Sequence, residues 1–315
     1  MKKVFIDGSA GTTGLRIRER LAERRDLEVV TLPEEVRKDP AARRDALNSS
    51  DIAFLCLPDA AAIEAAGMVE NPATVVIDTS TAHRTADGWE YGFPELKGRR
   101  ERIAKAKRIA NPGCHATGFI SLVEPLVGSG LIARGAELCA FSLTGYSGGG
   151  KKMIADYDAR IGAGSVGALG NAPYLGGRQY ALAQRHKHLP EMSKICGLSN
   201  APVFSPVVVP HLSGMEVTVQ LHADQLKGSV ADVRECYRAY YTGGLVRFTE
   251  ADDGDGFLSS AGLSGRDGLE VSAWGGEERI ILVSRFDNLG KGASGAAIQN
   301  MNIALGCDET EGLVK

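Results

Sequence analysis

The stretch "KKVFIDGSAGTTG", residues 2–14, decides how the first part of the chain folds. It begins as a short apolar run that predicts a buried strand, and an amphipathic helix is predicted over residues 13–23. Between them glycine recurs at every third position, as Gly8, Gly11 and Gly14. Glycines let the backbone approach a pyrophosphate, and a helix N-terminus offers free N–H groups to it. Hydroxyl donors are added by Thr12 and Thr13. The pattern predicts a dinucleotide-binding turn, with a plain glycine turn as the alternative.

Strand-like and helix-like segments alternate through the first 110 residues. Further strands are predicted in four apolar runs, at residues 27–32, 51–58, 74–80 and, more weakly, 107–112. An alanine-rich helix is predicted over residues 60–68. Continuous apolar strands that alternate with helices are typical of a parallel sheet covered on both faces. The sequence therefore predicts a doubly wound parallel-sheet α/β (Rossmann) domain over residues 1–112.

The pattern changes after residue 113. "MEVTVQLHA" (residues 215–223) and "RIILVSRFD" (residues 279–287) alternate apolar and polar positions, which predicts antiparallel strands covered on one face. We expect an α+β second domain with a mostly antiparallel or mixed sheet over residues 113–285. The last helix, within residues 286–315, is predicted to pack back on the first domain and complete it.

Composition excludes several classes of function. The 315-residue chain has a net charge of −3, which argues against a nucleic-acid surface, and no run approaches the 18 apolar residues of a membrane span. The N-terminus is too short in apolar residues for a signal peptide. The six cysteines form no C-x-x-C pair, so neither a disulfide framework nor a zinc cluster is expected. A cytoplasmic location is predicted.

The predicted second strand carries a hint about the cofactor. An NAD-binding domain usually ends this strand in a carboxylate that binds the ribose, but here Thr31 and Leu32 stand at its tip. Arg37 and Lys38 follow shortly afterwards. A missing carboxylate and nearby cations favour the 2′-phosphate of NADP(H), although the two cations are equally compatible with an ordinary exposed surface.

"ANPGCHATGF", residues 110–119, places Cys114 after Asn-Pro-Gly and at the predicted start of a helix. Free N–H groups at a helix N-terminus favour a thiolate, which is the nucleophilic form of cysteine. The same groups suit a developing oxyanion. Cys114 is therefore the candidate nucleophile, and the other five cysteines are predicted to be small core residues.

"RHKHLPEM", residues 185–192, supplies His186 and His188. Two histidines in this spacing suit metal ligation, but no motif such as H-E-x-x-H accompanies them, so no metal site is predicted. A histidine that works with a thiol as general acid or base is the more economical interpretation. The residues alone do not separate His186 from His188. His115 is one of four lone histidines, and no pattern in the sequence indicates a function for it.

Four motifs in order resemble the shorter N-acetyl-γ-glutamyl-phosphate reductases, of the aspartate-semialdehyde dehydrogenase-like group: "NPGCHATG", "TGYSGGGKK", "RHKHLPEM" and "DNLGKGASGAAIQNMN". The resemblance runs from the Gly8 turn to the C-terminal helix. It implies NADPH-dependent reduction of N-acetyl-glutamyl 5-phosphate to the semialdehyde in arginine biosynthesis, with release of phosphate. It also implies that residues 113–285 serve catalysis and dimerisation, in a homodimer or homotetramer, with an active site between the domains.

The resemblance also implies roles for single residues. Cys114 would be the nucleophile and His188 the acid/base, with His186 and Tyr180 near the nicotinamide and Asn288 at the cofactor. The candidates for binding the substrate or its phosphate come from three predicted loops. They are Arg84, Ser147, Gly148, Lys151 and Tyr180. The longer reductases have arginine where this chain has Lys151 or Lys152, which leaves the phosphate-holding residue open.

Thiolate attack on an acyl phosphate splits one difficult reduction into two easier steps through a thioester. Two alternatives stay open at this stage. One is a reductase for another acyl phosphate, such as aspartyl phosphate or a carrier-protein-linked aminoadipyl or glutamyl phosphate. The other is an NADP-binding sensor that has kept the domain without catalysis.

Overall fold

The computed structural model describes residues 1–161 and 172–315, which form two compact units. The first unit comprises Met1–Gly113 and Ala293–Leu313, and the second comprises Cys114–Gly292 and Val314–Lys315. Within the described residues, no helix combines the length and the apolar character that crossing a membrane requires.

The first unit alternates strands and helices along the chain. Its elements are β1 (Lys2–Asp7), α1 (Thr12–Leu21), β2 (Leu27–Val30), α2 (Pro40–Asn48), β3 (Ile52–Leu55), α3 (Asp59–Gly67), β4 (Val75–Asp78), β5 (Glu90–Tyr91), α4 (Arg99–Ile103) and β6 (Arg108–Ala110). The six strands pair in parallel in the order β2-β1-β3-β4-β6-β5. Every residue of β3 and β4 is buried, as expected of central parallel strands. The predicted doubly wound α/β fold is confirmed.

Two apolar cores cover the faces of this sheet. Alternate residues of β1 serve opposite cores: Val4 and Ile6 pack with Ile17 of α1, whereas Phe5 packs with Leu47 of α2. The strand has β2 on one side and β3 on the other, and this reversal of strand order is where open α/β sheets bind ligands, beyond the carboxyl ends of the strands. The glycine turn lies at this place.

The second unit is built on a seven-stranded sheet. Its elements are α5 (Cys114–Gly128), β7 (Cys139–Gly145), α6 (Gly150–Ile161), α7 (Ala172–Leu175), β8 (Arg178–Gln179), α8 (Leu189–Cys196), β9 (Val203–Val209), β10 (Met215–His222), α9 (Val230–Tyr240), β11 (Val246–Phe248), β12 (Leu269–Gly275) and β13 (Arg279–Phe286). The strand order is β11-β12-β13-β10-β7-β9-β8. β10 runs antiparallel to both neighbours, while β7–β9 and β11–β12 are parallel, so the sheet is mixed as predicted.

Helix α5 packs closely against this sheet. A Cβ at Gly118 would lie 2.4 Å from Cγ2 of Val217 on β10 and 2.8 Å from Oγ of Ser284 on β13. Most of the helix is buried, from His115 to Leu126 with few exceptions. Glycine at position 118 therefore lets the helix approach the strands, and its first residue, Cys114, is held by that contact.

The last helix, α10 (Gly295–Leu305), belongs to the first unit. Ala297, Ile298 and Met301 join the core that contains Val4. Polar contacts add to this packing, because the Asn300 side chain donates to the Gly92 carbonyl oxygen at 2.9 Å.

The five cysteines other than Cys114 were predicted to be core residues, and the structure agrees with this prediction only in part. Cys196 is buried, and burial raises its pKa well above the usual value. Cys139, however, is exposed at the first residue of β7, so its prediction as a core residue is wrong. Cys139 is exposed because it lies at the end of its strand, where no other element covers it, although cysteine is a residue type that is common in cores.

Gly8→Ala should destabilise the protein by about 2–4 kcal/mol, because the position combines a left-handed backbone with a collision. Gly8 has φ of +86°, and a Cβ there would lie 2.3 Å from the Cys56 carbonyl oxygen. The control is Gly67→Ala in α3, where no atom lies within 4 Å of the added Cβ. Urea denaturation measures both variants. Equal stability of Gly8→Ala and the wild type would contradict the described turn.

Candidate active site

The glycine turn divides its three glycines between two tasks. Gly8 and Gly14 serve the packing of the turn, since a Cβ at Gly14 would lie 2.6 Å from the Gly8 carbonyl oxygen. Gly11 differs, because its φ is −72° and a Cβ there would meet nothing closer than 3.5 Å. The fold would accept a side chain at Gly11, so a group that approaches from outside explains the glycine better than packing does.

The start of α1 fits the pyrophosphate of a dinucleotide. Gly11 caps the helix without a side chain, and Thr12 and Thr13 open it. The first N–H groups of a helix lack partners within the helix and attract anions. Among the described residues, the buried Thr12 hydroxyl has no hydrogen-bond partner. These residues could hold a dinucleotide through backbone N–H groups.

A cleft of about 240 Å³ lies beside the turn at the carboxyl end of β1. Its polar and charged lining includes both predicted 2′-phosphate residues, Arg37 and Lys38. Arg37 forms an ion pair with Glu34, yet 41% of its side chain stays exposed. The structure brings these two cations to the same cleft as Gly8.

A buried ion pair in this cleft was not predicted from the sequence. Arg43 of α2 donates from Nε and Nη2 to one carboxylate oxygen of Asp7, at 3.1 and 2.9 Å. Burial raises the pKa of Asp7, and Arg43 opposes that shift. A charged residue at the end of an apolar strand is the only signal that the sequence offered. The pair joins α2 to the residue before Gly8 and stiffens the base of the cleft.

In the second unit, Cys114 is the first residue of α5 and is partly buried. A Cβ at Gly292 would lie 2.9 Å from Cβ of Cys114, so glycine is required beside the thiol. Gly292 belongs to the "DNLGKGASG" segment, which explains part of that motif by packing. The first N–H groups of a helix have no partner within the helix, and such a position favours the thiolate of a cysteine.

Aromatic rings gather around the residue that follows the cysteine. The ring of His115 lies within 5.2 to 6.1 Å, between centroids, of four others: Tyr180, His186, His188 and Phe204. The structure thus brings His186, His188 and Tyr180 together around His115, the residue that follows Cys114 in the chain. His115, for which the sequence indicated no function, stands at the centre of this histidine cluster.

His115 is held by two hydrogen bonds. Its Nδ1 lies 2.8 Å from Oγ of Ser142, and its Nε2 lies 2.7 Å from the hydroxyl of Tyr180. Burial, together with the charges of His186 and Lys187, lowers the pKa of His115 to about 3. The ring is neutral at physiological pH and cannot serve there as a proton donor of imidazolium type.

The other two histidines differ in their surroundings. His188 precedes α8 and is buried, with its Nε2 4.0 Å from a carboxylate oxygen of the buried Glu191. Nδ1 of His186 accepts a hydrogen bond from the His188 backbone N–H at 3.1 Å. The Glu191 carboxylate thus faces His188, whereas Nδ1 of His186 is engaged as an acceptor by the backbone.

The remaining predicted site residues lie at three places. Asn288 is buried, and it accepts from the Gly214 N–H at 2.9 Å and donates to Ser147 Oγ at 3.0 Å, so its amide positions the loop that carries Gly148. Lys151 is exposed in the first turn of α6. In the first unit, the Arg84 side chain donates to the carbonyl oxygens of Asn111 and Thr79.

These contacts lie within the protein and do not test ligand binding. The binding roles of Asn288, Ser147, Gly148, Lys151 and Arg84 therefore stay predictions. Arg84 uses part of its donor capacity to join the ends of two strands, β4 and β6.

One group of potential metal ligands occurs among the described residues: Asp26, Cys307 and Glu311. Arg24 already forms ion pairs with both of its carboxylates, at 2.6 and 3.3 Å. The guanidinium provides the positive charge that a cation would supply, so the group is explained as an ion-pair network.

Family models agree with the two units. The model described as "Semialdehyde dehydrogenase, NAD binding domain" matches residues 3–106, and "Semialdehyde dehydrogenase, dimerisation domain" matches residues 114–288. Among solved structures, aspartate semialdehyde dehydrogenase II from Vibrio cholerae has a TM-score of 0.72 at 17% identity, covering 97% of this chain and 98% of that one. The enzyme from Candida albicans, solved with NADP, has a TM-score of 0.67 at 16% identity, over 96% and 99%. The fold and site define an NAD(P)-binding oxidoreductase of the semialdehyde dehydrogenase class.

Relatives narrow this class. The N-acetyl-gamma-glutamyl-phosphate reductase of Burkholderia ambifaria is 43% identical and covers 96% of both chains. That of Brucella ovis is 44% identical, over 96% of this chain and 99% of its own. The chain belongs to the N-acetyl-γ-glutamyl-phosphate reductase family.

Gly11→Ala should weaken NADPH binding about tenfold, because the methyl group displaces a backbone hydrogen bond to a charged phosphate worth about 1.5 kcal/mol. Its stability should equal that of the wild type, since the fold has room for the group. Fluorescence titration with NADPH measures the dissociation constant, with Gly67→Ala again as control. An unchanged constant would show that the pyrophosphate lies elsewhere.

Proposed function

We propose that this protein reduces N-acetyl-glutamyl 5-phosphate to N-acetyl-glutamate 5-semialdehyde with NADPH and releases phosphate, as a step of arginine biosynthesis. The observation that carries the proposal is Cys114 at the start of a buried helix, directly before His115, whose ring lies near those of His186 and His188. The chain is also 43–44% identical to reductases of that name. A thiol in this setting suits acyl transfer.

In the proposed mechanism Cys114 attacks the carbonyl carbon of the acyl phosphate. Carbon–sulfur bond formation and carbon–oxygen bond cleavage release phosphate and leave a thioester on the enzyme. N–H groups in the first turn of α5 stabilise the oxyanion of the tetrahedral intermediates. Bound NADPH supplies the hydride that turns the thioester into a thiohemiacetal.

His188 is the proposed acid/base of the two steps. It protonates the hemiacetal oxygen as hydride arrives, and removes that proton when the hemiacetal collapses to aldehyde and thiolate. The carboxylate of Glu191 at 4.0 Å supports this role, because the ring becomes charged during the cycle. His186, whose Nδ1 is occupied as an acceptor, suits substrate contact better.

The proposal extends to binding and assembly. Residues 1–112 with 286–315 would bind the cofactor and residues 113–285 would carry catalysis. Arg84, Ser147, Gly148, Lys151 and Tyr180 remain the proposed substrate contacts, with Asn288 at the cofactor. The match to a dimerisation domain supports an oligomer, which we propose to be a homodimer or homotetramer in the cytoplasm.

The reverse reaction tests this function. With NADP, phosphate and N-acetyl-glutamate semialdehyde, the wild type should form NADPH far faster than with aspartate semialdehyde. Cys114→Ser should lower the rate by at least about three orders of magnitude, because serine is a much weaker nucleophile here.

The matched control is Cys139→Ser, an exposed cysteine of the same unit, which should keep the wild-type rate. A preference for aspartate semialdehyde would transfer the proposal to another acyl phosphate. An active Cys114→Ser would exclude the thioester mechanism, and a wild type inactive on every acyl phosphate would favour a sensor.

Arg37→Ala should lower the ratio of kcat/KM for NADPH over NADH about tenfold, since it removes a cation from the 2′-phosphate. Steady-state kinetics with both cofactors measure the ratio. Arg44→Ala is the control, because Arg44 pairs with Glu70 and does not line the cleft. An unchanged ratio would remove Arg37 from the cofactor site.

A further inference from the structure

Three side chains from distant parts of the second unit form a continuous hydrogen-bonded row. Ser142 of β7, His115 of α5 and Tyr180, which follows β8, are joined by contacts of 2.8 and 2.7 Å through the two nitrogens of the imidazole. Ser142 is fully buried and His115 is 3% exposed, whereas Tyr180 is only half-buried. The row therefore runs from the interior toward the surface, through the residue that follows Cys114 in α5.

The row has a direction because its central ring is neutral. With a pKa of about 3, His115 carries one N–H at neutral pH, so one nitrogen donates and the other accepts. Which nitrogen donates depends on the two hydroxyl groups at the ends of the row.

The buried end settles the tautomer. Within the described part of the chain, His115 is the only hydrogen-bond partner of the Ser142 hydroxyl. If Nδ1 carried the proton, the hydroxyl hydrogen of Ser142 would be buried without an acceptor, which is costly. If Nε2 carries it, Ser142 donates to Nδ1, and Nε2–H donates to Tyr180. The hydroxyl hydrogen of Tyr180 is then available to another acceptor.

We propose that His115 is a positioning residue that directs the Tyr180 hydroxyl proton toward the oxygen of the tetrahedral intermediates formed on Cys114. Tyr180 would add a side-chain donor to the backbone N–H groups of α5. The inference rests on the proposed function, in which those intermediates form.

The loop that carries Tyr180 is held rigidly. The Tyr180 N–H donates to the Pro206 carbonyl oxygen at 3.1 Å, and the Gln184 side chain bonds both backbone groups of Phe204, at 2.8 and 2.9 Å. Ala181 and Gln184 both have φ of +55°, a strained conformation that such contacts must maintain. Strain of this kind occurs where a side chain must be placed accurately.

Electrostatics agree with this placement. Burial raises the pKa of Tyr180 above its usual value, and charge on Cys114 adds to the shift, so the phenol lies within the field of the thiolate. The phenol is therefore protonated at neutral pH and remains a donor there.

Three variants test the row kinetically in the reverse assay. Tyr180→Phe should lower kcat by about 10- to 100-fold with KM changed less than about threefold, because the donor acts on an intermediate. His115→Asn, whose amide reaches only the Nδ1 position, should lose a similar factor. His115→Gln, whose amide reaches the Nε2 position, should recover activity to within a few-fold of the wild type.

The double variant His115→Asn/Tyr180→Phe decides whether the two residues act together. Its kcat should equal that of Tyr180→Phe, since His115 acts only through the phenol. Tyr174→Phe is the control, because its hydroxyl bonds Asp156 and not this row. Multiplied losses in the double variant, or an unchanged kcat in Tyr180→Phe, would overturn the proposal.

The tautomer has a readout that needs no activity. In protein labelled with ¹⁵N-histidine, the resonance absent from His115→Gln should report a neutral Nε2–H ring at pH 7 and at pH 5. A Nδ1–H tautomer, or a charged ring at pH 7, would refute the row even in an active enzyme. Loss of the proposed function would instead appear as a wild type without turnover while the tautomer is as expected.

Discussion

The contact between α5 and its sheet is the constraint on which the candidate site depends. Gly118 lets the helix approach Val217 so closely that a methyl group would not fit, and Gly292 leaves equally little room beside Cys114. Cores packed at this density allow displacements of only tenths of an ångström. Packing therefore holds the backbone of the helix start, and two hydrogen bonds then orient the ring of His115. The histidine cluster is assembled on this helix end.

Local patterns in the sequence predicted the sheets and the two reactive motifs. A continuous apolar run such as residues 52–55 is typical of a central parallel strand. The alternation of apolar and polar residues over 215–222 is typical of an antiparallel strand covered on one face. Helix α2 was not predicted, because "PAARRDALN" buries only Arg43, Ala46 and Leu47 and shows little apolar periodicity. The glycine turn and the nucleophile Cys114 could be predicted from the sequence, because turns and helix starts are determined by residues that are close together in the chain.

Contacts between distant residues account for what the sequence did not reveal. His115 meets Ser142 and Tyr180, which are 27 and 65 positions away, and Arg43 meets Asp7 across 36. Each partner is an ordinary residue in its own segment, so only the folded chain shows that a polar group is buried and must be satisfied. The hydrogen bonds of buried polar side chains can thus identify positioning residues that no sequence motif contains.

A helix N-terminus serves the candidate site of each unit, but the two N-termini differ in their exposure to solvent. α1 begins after Gly11 at an exposed turn, whereas α5 begins after Gly113 at a buried one. Solvent and salt screen the partial positive charge of an exposed helix start, which suits a cofactor that must bind and leave. At a buried start that charge is screened less, so it acts more strongly on a group that stays in place, the sulfur of Cys114. Burial of α5 is in this sense a chemical requirement as well as a packing one.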